Sequence, residues 1–281
     1  LTSVIITALG DSFGLGVGAI VGSAIFNILV IPGLSGVATE HKLDSNRTIV
    51  YKEAQFYMLA VSALVITFAF AVIYFPAEGG TALDGNVTRP LAVIPLLLYA
   101  LYLFIQWQDV EDHQSDNSGV EIRVLRNWGR LVVGLLVILV AVELLVGAIK
   151  GLNATFGIPQ FLAGVTILAA ATSLPDALIS VRAARDARGI TSLGNVLGSN
   201  TFDLLVAIPV GVLIAGSAPV SFSVAAPMMG VLTVATILLF TVLRTDLILT
   251  TAESYALLIA YLVFLGWVTG ETIGLFGLVR V

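Results

Sequence analysis

The sequence predicts an all-α polytopic membrane protein with eight complete transmembrane helices preceded by an N-terminal half-helix. Three observations predict it. The first is composition: of 281 residues, 58% are hydrophobic and only 11% are charged, whereas roughly a quarter of a soluble domain is charged. The second is a succession of apolar segments long enough to cross ~30 Å of hydrocarbon as helices. The third is an internal repeat. Subtracting 176 from Gly194, Gly198, Ser199, Phe202, Asp203, Leu205 and Val206 gives Gly18, Gly22, Ser23, Phe26, Asn27, Leu29 and Val30. All match in type, except that Asn27 is the amide analogue of Asp203. A repeat at such a separation in an apolar chain marks a transporter built from two halves.

Residues 1–9 are too few to span and read as the end of a helix, followed by a turn over 10–14. The first complete span is 15–38. Gly18 and Gly22 make a GxxxG step in it, as Gly194 and Gly198 do in the second repeat. Two readings stand: close helix packing, or small residues that also let the backbone approach an ion. Pro32 and Gly33 are expected to kink the helix end. A polar loop, TEHKLDSNR, leads to a span over 51–75, and a loop with Pro76, Gly79, Gly80, Gly85 and Pro90 follows. The next span, 91–106, ends in Tyr99, Tyr102 and Trp107, expected at the membrane interface. The longest polar loop, 108–126, reads as a solvated acidic linker. Regulatory calcium binding is the alternative, but the spacing and glycine of an EF-hand loop are missing. His41 and His113 read as loop histidines.

A span over 129–150 carries Glu143 near its later end, facing a neighbouring helix, the interface or an ion path. Spans over 158–181 and 191–215 hold the second repeat. Two more, 223–243 and 252–279, finish the chain, with Glu253 and Glu271 toward the ends of the last and expected at the interface. The chain thus divides into an N-terminal half, 1–106, with an incomplete first repeat over 1–38; an acidic cytoplasmic loop, 107–128; and a C-terminal half, 129–281, with the second repeat over 157–215.

Loop charges orient the chain. Counting sides by alternation, one side holds Arg89, Lys150 and Arg280, and the other holds the remaining ten of the 13 basic residues. The positive-inside rule makes the second side cytoplasmic. The two repeats then face opposite ways, which gives an inverted-repeat transporter fold. There is no cysteine, hence no disulfide and no thiolate metal site. The net charge of −5 sits in loops and argues against nucleic acid as a partner. The start does not read as a signal peptide.

The chemistry concentrates over 157–211. Thr172, Ser173 and Asp176 interrupt one apolar helix, and Asn195, Ser199, Asn200 and Asp203 interrupt the next. A carboxylate at membrane depth costs several kcal/mol and usually marks an ion path or proton relay. Pro175 has no N–H for the Ala171 carbonyl, so the helix is expected to break there. Carboxylate, hydroxyl, amide and carbonyl oxygens together suit a hard cation.

TSLPD (172–176) with GSNTFD (198–203), and GSAIFN (22–27) in the first copy, resemble the two alpha repeats of the cation/calcium exchanger superfamily. The first copy, GLGVGAIVGSAIFNIL, is especially similar to the potassium-dependent sodium/calcium exchangers, and compact prokaryotic sodium/calcium antiporters share the pattern. The resemblance implies two repeats whose oxygens meet at the membrane centre. Asp176 would be a calcium carboxylate, and Thr172 would supply a carbonyl and a hydroxyl. Ser173, Ser23 and Ser199 would line sodium sites, with Asn27 and Asp203 flanking the centre. The implied activity is secondary antiport of calcium against sodium in a prokaryotic inner membrane. The partners are then calcium and sodium ions and the lipid bilayer, with no cofactor beyond the transported ions. Asp after Pro175, where many prokaryotic relatives have Glu, together with Asp203 leaves potassium coupling open.

The first TSxPE motif of the family is absent, and the repeat offset places the counterpart of Asp176 at position zero. The chain therefore reads as N-terminally truncated, and little calcium transport is expected unless it is extended. Three rivals stand beside this reading. One is a transport-inactive fragment of an exchanger. Another is an intramembrane aspartyl protease, suggested by two Asp on successive spans, although its GxGD pattern is absent. In the third, Asp176 and Asp203 are only polar glue between helices.

Overall fold

The computed structural model describes residues 13–39, 42–112, 124–156 and 160–275. The expectations for 1–12 and for most of the 108–126 loop lie outside these residues. Among the described residues, eight helical segments are long and apolar enough to cross a membrane. The helix is the economical choice there, because hydrocarbon offers no partner for an unpaired N–H or C=O.

The order begins with helix α1 (Phe13–Ala38), strand β1 (Leu43–Asp44) and α2 (Ala54–Tyr74), which grows out of a wide π-helical turn over Thr48–Glu53. Strand β2 (Asp84–Thr88), α3 (Arg89–Asp112) and α4 (Val124–Phe156) follow. The second repeat opens with the short α5 (Gln160–Ala163), a π turn over Gly164–Leu168 and α6 (Ala169–Arg185). It continues through α7 (Gly189–Phe202), a third π turn over Asp203–Ala207 and α8 (Ile208–Ala215). The chain closes with β3 (Ser217–Ser221), α9 (Phe222–Arg244), β4 (Ile248–Leu249) and α10 (Thr251–Thr272).

α1 is the central pillar. Ala24, Ile25, Ile28 and Ile31 are fully buried on it, and it packs against α6, α10, α7, α9 and the Gly164–Leu168 turn. Gly22 is required at this crossing, because a Cβ there would run into the Val165 backbone. Gly194 and Gly198 differ: a Cβ at either meets open space. Among the described residues, close backbone packing is seen at Gly22 and not at Gly194 or Gly198. α4 is the least enclosed span, with Val133, Val137 and Leu144 turned outward.

Two antiparallel ribbons tie the ends of the bundle. Leu43 pairs with Leu249 and Asp44 with Ile248 at one end. At the other, Asp84 through Thr88 pair with Ser221 through Ser217. The sequence reading had only polar loops here. The ribbons join loops that the charge count assigns to the same side in each case. Asp84 also accepts from the Thr81 N–H at 2.7 Å and the Thr81 hydroxyl at 2.8 Å. These bonds hold its carboxyl below the usual range.

Several expected boundaries move. α1 runs on through Pro32 to Ala38, and α6 runs on through Pro175. The break expected at Pro175 instead appears two to three turns earlier, as the π turn over Gly164–Leu168. The expected 252–279 span stops at Thr272. Gly274, at φ 78°, terminates it with a Schellman pair: Leu275 N–H to the Gly270 carbonyl and Gly274 N–H to the Glu271 carbonyl. At the other end, Thr250 and Glu253 form a reciprocal capping box, which gives Glu253 its work. Glu271 is buried rather than interfacial. Of the aromatic cluster, only Trp107 is well exposed. Tyr102 is buried against Phe56 and donates to Glu53, and Tyr99 packs on Phe202.

Candidate functional site

Three helical segments deliver polar side chains to one place. α1 brings Ser23 at a point where its neighbours are Ala19, Ile20 and Gly22. α6 brings Thr172 and Asp176, four residues apart and so on one face. α7 brings Ser199, and Asp203 stands one turn later where the π turn begins. All five line a single cavity of about 550 Å³, closed on one side by Ile138, Val142 and Leu145 of α4. Ala171 and Pro175 also line it. Since Pro175 has no N–H, the Ala171 carbonyl lacks its helical donor and adds an acceptor at the wall.

Hydroxyl orientation matters for what the cavity can hold. Thr172 Oγ1 donates back to the Leu168 and Ala169 carbonyls, at 2.9 and 3.1 Å. Its lone pairs are therefore left for something other than the helix. Ser199 Oγ donates to the Val196 carbonyl at 3.1 Å and keeps its lone pairs for the cavity. Asp176 and Asp203 line the same cavity, where a cation would relieve the repulsion of two like charges. Both carboxylates line one cavity, whereas the polar-glue reading expects them buried apart.

Ser173 and Asn27 stand behind the wall. Ser173 is buried, its hydroxyl 2.7 Å from that of Ser23, so it sets the orientation of a residue that does face the cavity. Asn27 is fully buried and donates through Nδ2 to Asn200 Oδ1 at 2.8 Å. Asn200 in turn donates to the Ala24 carbonyl at 3.1 Å and the Tyr57 hydroxyl at 3.2 Å. Asn27 Oδ1 is buried with no hydrogen-bond partner among the described residues. The expected convergence thus holds for Ser23, Thr172, Asp176, Ser199 and Asp203. Asn27 belongs instead to a polar seam with Asn200 and Tyr57, two residues absent from the expected set. Asn200 stands out in the sequence as a mid-span amide, though not among the residues expected at the ion, and Tyr57 carries no distinguishing sequence signal.

Asn195 adds support from earlier on α7. Its Nδ2 donates to Ser180 Oγ at 3.0 Å and to the Asp176 backbone carbonyl at 3.4 Å. It fixes the helix turn that carries Asp176 without touching the cavity.

The family model described as sodium/calcium exchanger protein matches residues 1–108 and 126–270, almost the whole chain. The chain belongs to the sodium/calcium exchanger protein family. As a member it is an integral membrane protein, in keeping with its eight apolar helices.

Among relatives, an uncharacterized membrane protein of Methanocaldococcus jannaschii is 31% identical over 206 residues, 71% of this chain and 61% of that protein. The Escherichia coli inner membrane protein YrbG is 25% identical over 222 residues, 74% of this chain and 62% of its own. Mouse sodium/potassium/calcium exchanger 4 is 42% identical over 65 residues, 23% of this chain and 10% of that one. The chain thus spans about three fifths of the length of the first two.

Two solved structures share the fold. The sodium-calcium exchanger NCX_Mj, soaked with sodium and calcium, superposes with a TM-score of 0.62 at 24% identity, over 94% of this chain and 79% of that one. Native YfkE gives 0.70 at 19% identity, over 98% and 80%. At these identities the likeness concerns architecture alone.

Proposed function

We propose that this chain carries the ion centre of a secondary antiporter that exchanges calcium for sodium across a membrane by alternating access. The observation that carries the reading is the single cavity shared by Ser23 of the first repeat and by Thr172, Asp176, Ser199 and Asp203 of the second. Asp176 and Asp203 supply the negative charge that a divalent cation needs. Hydroxyl and carbonyl oxygens complete the oxygen-only shell that hard cations prefer. One calcium ion or several sodium ions compete for this set. Exchange follows from charge: two unpaired carboxylates taken out of water during the switch cost far more than two neutralised ones, so the empty protein resists the switch between its two faces. The reaction is transport, with no covalent step.

Two carboxylates in one cavity would also suit an aspartyl hydrolase. Family membership and the surrounding hydroxyls favour cation coordination. Potassium as a further coupled ion is supported by GSNTFD over 198–203 and by the 65-residue match to sodium/potassium/calcium exchanger 4.

The test is calcium uptake into vesicles holding the protein and loaded with sodium, with and without internal potassium. Uptake that requires internal sodium supports exchange, and a further requirement for potassium adds the second ion. Calcium entry that proceeds equally without internal sodium would sink the proposal.

A further inference from the structure

A second concavity lies on the outer wall of the bundle, away from the ion centre. It is a groove of about 570 Å³ between α2 and α9, floored by Thr236 and walled by Met58, Leu59, Ile237 and Phe240. At one end sit Tyr51 and Arg244, the guanidinium carbon 5.7 Å from the centre of the Tyr51 ring. At the other end is Ser62.

Sequence and topology place the groove in the bilayer. α2 leaves, and α9 returns to, the end of the molecule where β1 pairs with β4. The charge count assigns ten of the 13 cations to that end, including Arg244. From Arg244 to Thr236 the groove descends about 12 Å along α9, at 1.5 Å per residue. It therefore runs from headgroup level into the hydrocarbon of the cytoplasmic leaflet. Leu59 and Ile237 are more than half exposed on its walls, as suits contact with an acyl chain.

Arg244 decides the occupant. It is exposed, at the last residue of α9, and it stacks on an aromatic face. Among the described residues it has no carboxylate partner, not even Asp246 two residues on. A guanidinium fork presented beside an apolar channel matches a phosphate with a hydrocarbon tail.

We propose that this groove binds an anionic phospholipid of the cytoplasmic leaflet. The phosphate lies against Arg244 and Tyr51, and one acyl chain lies along Met58, Ile237 and Phe240. The bound lipid braces α2 against α9. It does so where α2 also holds Tyr57, whose hydroxyl accepts from Asn200.

Native mass spectrometry of the purified chain, titrated with phosphatidylglycerol or phosphatidylcholine, tests the proposal. Phosphatidylglycerol should be retained in preference. Arg244→Gln should lower its apparent affinity roughly fivefold, the worth of about one basic residue near a lipid surface. Ser62→Trp, which fills the deep end and spares Arg244, should release the lipid as well. Equal retention of the two lipids, or an Arg244→Gln variant that binds as the native chain does, would overturn it. So would displacement by glycerol 3-phosphate at matching concentration, which would indicate a phosphate site without a tail. Disulfide cross-linking between copies carrying Ile237→Cys would also overturn it, assigning the groove to a second copy of the chain.

Discussion

Asn27 and Asp203 occupy equivalent positions in the two repeats, yet only Asp203 reaches the cavity. The difference lies three residues before Asp203: Asn200 takes the Asn27 amide into the seam with Ala24 and Tyr57. Removing Asn200 leaves Asn27 with both amide groups buried and unpaired. Asn200→Leu should therefore destabilise the protein by about 1–3 kcal/mol, the cost of orphaned buried polar groups. Tyr57→Phe removes only an acceptor from Asn200, which keeps the Ala24 carbonyl, and should cost about 0.5–1.5 kcal/mol. Thermal unfolding in detergent ranks the two, and a larger loss for Tyr57→Phe would contradict the seam. The cavity residues were legible because mid-membrane oxygens are few and each costs free energy to bury. The seam was not, because Ser199 and Asn200 are about 100° apart on one helix and nothing local says which of them faces the cavity.

The spans themselves were legible, since an apolar run of sufficient length has no other stable form in a bilayer. Their irregularities were less so. Three π turns occur among the described helices, and π turns gather at functional sites. Asp203 begins one of them, and Gly164 begins another that packs under Gly22. Pro209 hints at the former, since it offers no N–H to the Leu205 carbonyl. No residue announces the latter. The glycine steps give a paired prediction. Gly22→Ala forces a methyl onto the Val165 backbone and should cost about 1–3 kcal/mol. Gly198→Ala meets open space and gains helix propensity, so it should be neutral or stabilising by up to about 1 kcal/mol. Unfolding temperatures read the difference directly, and equal effects at the two sites would contradict the packing asymmetry. At α10, Thr250→Ala should cost about 1 kcal/mol through loss of the capping box, a signal that T-x-x-E at 250–253 already carried in the sequence.

On the scale of the whole molecule, hydrogen bonds show that α1 and α7 run antiparallel. Ser35 meets Ser192 while Asn27 meets Asn200, so one chain descends as the other climbs. The ribbons obey the same relation: β1 follows α1 as β3 follows α8, and each pairs with a strand from a different hairpin. The chain contains no cysteine, which makes the orientation directly testable. A single cysteine at the exposed Lys42 should be labelled only from the cytoplasmic face, and one at the exposed Ala82 only from the opposite face. Labelling of both from one side would contradict the inverted arrangement. The repeat offset was legible in sequence because both copies keep glycine and serine where helices and oxygens meet.

The central claim is that calcium and sodium share one set of oxygens around Asp176 and Asp203. Calorimetric titration of calcium into the purified protein, at rising sodium and with Asp176→Asn, tests it most directly. The account predicts that sodium weakens apparent calcium affinity competitively. It also predicts that Asp176→Asn weakens it at least about a hundredfold, as loss of one buried charge partner implies. Calcium binding indifferent to sodium, or unchanged in Asp176→Asn, would contradict it.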